Sequence, residues 1–138
     1  MERDIILKEV GKILIPLIQL FGLYVIINGH LSPGGGFSGG TILGTSLIIM
    51  HLIYGKDFIM KIYSRKRLIT SLSISLIFYT LIKGYSFLSY QLHLPHPSAG
   101  VTGRILSAGF ILPLNIAVGF LVASVFYIIF TIFINSEV

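Results

Sequence analysis

Four side chains in this sequence could carry a charge or a proton within apolar surroundings: His30, His51, Tyr79 and Lys83. A histidine titrates near neutrality and suits proton relay. A lysine inside an apolar run either borders an ion or proton path or snorkels its ammonium to the interface. Lys83 is the one formal charge deep in such a run. Ser71, Ser75, Tyr79 and Lys83 follow one another at i+4, and Ser86 and Tyr90 continue that side. On a helix this makes a single polar stripe, expected to face protein or water rather than lipid. Two readings of Lys83 stay open: membership of a cation or proton path, or snorkelling from near the outer end of its span. His51 has the same pair of readings, proton relay or a hydrogen bond to a neighbouring helix.

Other chemistry is poorly supported. The chain has no cysteine, so it offers no thiolate ligand and no disulfide. His30, His93 and His96 lack accompanying carboxylates, and prolines interrupt the last two, so no metal site is expected. There is no Ser-His-Asp set, no paired carboxylate and no phosphate-binding loop, because Gly34-Gly35-Gly36 lacks a following Lys-Ser/Thr. No catalytic residue and no cofactor are expected, and the chain reads as non-enzymatic. The acidic residues all lie outside the apolar runs, so the intramembrane carboxylate of a self-sufficient proton carrier is missing.

The most specified local feature is Asn28–Gly40, with six glycines and a proline in thirteen residues. Pro33 fixes its own φ and disfavours helix at Ser32. The stretch reads as a rigid, non-helical knot packed against something else. Gly40 and Gly44 form a small-xxx-small pair on a face that continues to His51. Pro113, Asn115, Gly119 and Ala123 make a second small-residue seam, and Pro16 and Gln19 interrupt the first apolar run similarly. Assembly is the favoured reading of each.

The elements that must position these residues are membrane spans. Of 138 residues, 54% are hydrophobic and 11% charged, and the mean hydropathy is +0.92. A soluble domain of this size could not bury that much apolar surface. Four runs approach the ~20 residues needed to cross hydrocarbon: about 11–27, 37–54, 68–88 and 105–133. The expected fold is one all-α, four-helix integral membrane domain. Pro113 predicts a kink or a short leading helix in the last span. The first run has no signal-peptide cleavage pattern and reads as a retained span. The net charge of +5 is explained by topology rather than by nucleic acid: Lys56, Lys61, Arg65, Lys66 and Arg67 crowd one connection. The positive-inside rule places that connection and both termini in the cytoplasm, and the glycine-rich stretch outside. Acidic lipid headgroups are the expected partners of the basic connection.

The motif Gly29-His30-Leu31-Ser32-Pro33-Gly34-Gly35-Gly36-Phe37-Ser38-Gly39-Gly40 resembles the signature of the B subunit of Mrp-type multi-subunit sodium/proton antiporters. Ser107–Gly119, containing Pro113 and Asn115, is similar to the family's last characteristic block. The resemblance implies a small accessory subunit of the cell membrane. Its partners would be other small hydrophobic antiporter-type subunits and larger chains related to respiratory complex I. The host would be an antiporter, or a hydrogenase or sulfur reductase carrying a similar sodium module. A stand-alone homo-oligomeric transporter and a purely structural scaffold are the alternatives. Gly29, His30, Ser32, Pro33, Gly34, Gly35, Gly36, Gly39 and Gly40 enter as motif positions, with Gly44 and Gly119 as packing positions.

Overall fold

The computed structural model describes residues 2–30, 34–92, 109 and 111–136. They form five helices: α1 (Glu2–Ile27), α2 (Gly35–Tyr54), α3 (Lys56–Ile62), α4 (Arg65–Gln91) and α5 (Ile111–Ser136). No strand occurs among the described residues. Four helices are long and apolar enough to cross a membrane, over Ile5–Ile27, Gly35–Tyr54, Arg65–Gln91 and Ile111–Ile134. At 1.5 Å per residue, a run of about 20 residues matches the ~30 Å hydrocarbon core.

α2 is the centre of the bundle, with its most extensive contacts to α5 on one side and α1 on the other. α4 docks on α5. The short α3 lies between α2 and α4, with Lys56, Asp57 and Lys61 exposed and Ile59 fully buried. Ile59 closes an apolar cluster to which α2 gives Leu47, α4 gives Leu68 and α5 gives Tyr127. The outer faces carry large apolar side chains such as Ile13, Leu20, Phe87 and Phe133. In hydrocarbon such exposure has no hydrophobic cost, and helices associate through packing and hydrogen bonds instead.

Local sequence explains where the helices begin and end. Gly55, at φ 85°, stops α2, and its N–H donates to the His51 carbonyl at 2.9 Å. Ser64 is extended and caps α4 by accepting from the Arg67 N–H at 3.4 Å.

Two expectations need correction. The glycine-rich stretch is not a non-helical knot throughout. Gly34 turns the chain with φ 96°, and from Gly35 onward the residues are the first turns of α2. Glycine's poor helix propensity is overridden because a bare backbone allows neighbouring helices to approach closely. Pro113 does not interrupt a span either. It is the third residue of α5, in the first turn, where a backbone N–H has no intrahelical partner to lose. A leading helix before it would fall on residues outside those described.

Candidate functional site

The glycines of the motif divide by helical periodicity into two faces of α2. Gly39 meets α1 and Gly35 meets the turn that follows it. A Cβ on Gly35 would lie 2.7 Å from the Gly29 carbonyl oxygen, and one on Gly39 would lie 2.5 Å from Cγ1 of Ile26. Gly36, Gly40 and Gly44 meet α5. A Cβ would lie 2.5 Å from the Asn115 carbonyl oxygen at Gly36, 2.6 Å from the Gly119 carbonyl oxygen at Gly40, and 2.8 Å from Cβ of Phe126 at Gly44. Gly119 in turn receives Ile26 of α1, with a Cβ there falling 2.5 Å from Cδ1 of that residue. α2 therefore meets both α1 and α5 backbone to backbone, and the Ile26 side chain joins α1 to α5. The motif packs against other parts of its own chain. Ser32 and Pro33 lie outside the described residues.

Two polar side chains are enclosed at this junction. Neither ring nitrogen of His30 nor the Asn115 Nδ2 reaches solvent, and none has a hydrogen-bond partner among the described residues. The Asn115 amide presses on the turn before α2, where a Cβ on Gly29 would lie 2.7 Å from its Nδ2. His30 follows directly in that turn. A shielded polar group without a partner costs about 1–3 kcal/mol, so this junction carries an unfavourable polar term within a tightly packed seam.

The opposite end of α2 carries the third site residue. His51 is buried at 7% exposure, and its Nδ1 lies 2.8 Å from the Tyr127 hydroxyl on α5. Phe130 meets the imidazole edge-on at 5.3 Å. The geometry shows the interhelical hydrogen bond; His51 is held within the bundle and joins α2 to α5.

The polar stripe of α4 splits. The buried residues of α4 are Leu68, Ser75 and Ser89, spaced by seven and then fourteen positions along one face of the helix, and Ser75 is the stripe member among them. Tyr79 is half-buried on the flank of that face, whereas Lys83 is exposed. The structure thus separates Lys83 from the serines, and it does not bring Lys83, His51 and His30 together. Among the described residues no cluster of histidines and carboxylates could hold a metal ion. His93 and His96 lie outside those residues.

Tyr127 was missed by sequence reasoning, although a signal existed. It continues the four-residue series Asn115, Gly119, Ala123 along α5 and so shares their packed face. Ser46, fully buried, was also missed; its Oγ donates back to the Leu43 carbonyl at 2.7 Å.

Comparison with known proteins bears on this arrangement. Residues 6–128 match the family described as a domain related to the MnhB subunit of Na+/H+ antiporter. A Staphylococcus epidermidis protein carrying the name antiporter subunit mnhB2 is 42% identical over 60 residues, 44% of this chain and 43% of the relative. A Staphylococcus aureus protein of the same name is 37% identical over 60 residues, with the same coverage. The chain thus spans less than half the length of these curated relatives in alignment. The family match covers most of the chain, which belongs to the MnhB-related family.

Proposed function

We propose that this MnhB-related chain is an accessory, non-catalytic subunit of a multi-subunit sodium/proton antiporter in the cytoplasmic membrane. The observation that carries the reading is the family match over 6–128, a region that includes the whole glycine-seamed junction of α1, α2 and α5. The chemistry of the chain supports the accessory role. No acidic residue lies within α2, α4 or α5. Glu9, expected outside the apolar runs, falls within the membrane-capable span of α1, but it is exposed near its start and paired with Lys12 at 2.6 Å, so the buried carboxylates of a translocation path would come from other subunits. The exposed apolar faces of α1 and α4 suit neighbouring subunits as well as lipid.

In this reading the basic α3–α4 corner and both termini are cytoplasmic, and the α1–α2 turn with His30 faces outward, as the excess of Lys and Arg requires. His30, His51, Tyr79 and Lys83 are the candidates for contact with the transported ions. Lys83, exposed on α4, would border the path at an interface with a partner. The test is deletion of the chain from its host, followed by purification of the remaining antiporter subunits in mild detergent. Loss of sodium-linked proton transport together with loss of the assembled complex supports the reading. A chain that migrates only with copies of itself overturns it.

A further inference from the structure

α1 packs on α2 and α4 packs on α5, and between them lies a groove of about 480 Å³. Leu43 and Leu47 of α2 and Phe120 of α5 form part of its floor, with Leu23 and Leu68 on the two walls. It extends from the first turn of α4 to about the middle of α2 and α5, which is roughly the depth of one leaflet. The deep part is mainly apolar. Its mouth is lined by Arg67 and Tyr63, and Ser71 lies one helical turn below Arg67.

The charge at the mouth is fixed in place. Nη1 of Arg67 donates to the Ile62 carbonyl at 2.9 Å, which orients the guanidinium while leaving further donors of its five N–H groups. Lys61, Arg65 and Lys66 are exposed on the same corner, and Asp57 is the single acid between residues 56 and 67. A smaller groove of about 300 Å³ on the other flank of α4 repeats the pattern, with Arg65 beside Leu68, Ile69 and Ile128. A deep apolar slot with a cation at its surface end complements an amphiphile with a negative head and an alkyl tail. A helix from another subunit would satisfy the slot without calling for the arginine.

We propose that the groove between α1 and α4 holds an acyl chain of an anionic phospholipid, with its phosphate at Arg67. The lipid comes from the leaflet on the α3–α4 side, and it ties α4 to the glycine-seamed core across a gap that the protein does not fill. The site stands whether or not the chain serves an antiporter.

The test uses the full-length chain extracted from vesicles containing equal phosphatidylglycerol and phosphatidylcholine, with retained lipid counted by native mass spectrometry. Phosphatidylglycerol is expected to be retained preferentially, and Arg67→Gln to lower that preference about fivefold, the effect of one interfacial cation. Ser71→Phe, which fills the groove, is expected to abolish retention, and Ser73→Phe, on the exposed side of α4, to leave it intact. Because Ser71→Phe could disturb folding, a photoreactive residue at position 71 supplies a second readout in native membranes. Cross-links to phospholipid support the site. Equal retention of the two lipids, or cross-links at position 71 to a protein chain, would overturn it.

Discussion

The α2–α5 seam and the α4–α5 contact join helices of similar length, but by different means. Along the first, Gly36, Gly40 and Gly44 bring backbones together so closely that a single added carbon would collide. Along the second, side chains such as Leu68 of α4 and Tyr127 of α5 share an apolar cluster, while Gly84, on the exposed side of α4, has open space where a Cβ would be. In lipid, where apolar side chains gain nothing by leaving the solvent, close backbone approach is the stronger means of fixing one geometry. The comparison divides the molecule into a rigid core of α1, α2 and α5 and a more loosely attached α4. Lys83 and the proposed lipid belong to the loose side, and the antiporter-subunit motif belongs to the rigid one.

Substitutions should expose this division. The largest effect is expected at Gly36→Val, whose branched side chain would meet the Asn115 backbone. It should cost about 3 kcal/mol or more and abolish the folded chain in detergent thermal unfolding. Tyr127→Phe removes the partner of His51 Nδ1 without changing shape, and a loss of about 1 kcal/mol is expected in the same assay. Gly84→Ala should be neutral or favourable, by up to about 1 kcal/mol, since α4 gains a better helix former and meets nothing. Lys83→Met should leave folding unchanged within about 0.5 kcal/mol, as its side chain is exposed. Its consequence is expected in sodium-linked proton transport, which should fall while the complex stays assembled. Normal transport would remove Lys83 from the path, and lost assembly would make it a packing residue.

Much of this was legible before any coordinates. Four apolar runs of bilayer length set the number of spanning helices, though not the short α3, and Gly40/Gly44 and Asn115/Gly119/Ala123 announced close-packed faces through their spacing. Their mutual pairing was not legible, because the spacing marks a face and says nothing of which helix covers it. The helical state of Gly35–Gly40 ran against local propensity and was decided by tertiary contact. The split of the α4 stripe was hidden because a four-residue series drifts around a helix of 3.6 residues per turn. Ser75 and Ser89 stay on the seam, while Lys83 rotates away from it. The groove depends on the depth at which side chains from several helices meet, which no single segment encodes.

The central claim is that the glycine motif holds this chain to itself. It is tested most directly by expressing Gly40→Ala without any other subunit and comparing its unfolding temperature with those of the wild type and Gly84→Ala. A Cβ at Gly40 would lie 2.6 Å from the Gly119 carbonyl oxygen, so Gly40→Ala should unfold well below the wild type even in isolation, while Gly84→Ala does not. If Gly40→Ala alone is as stable as the wild type, and its defect arises only when other subunits are present, the motif packs against a partner and the account is wrong.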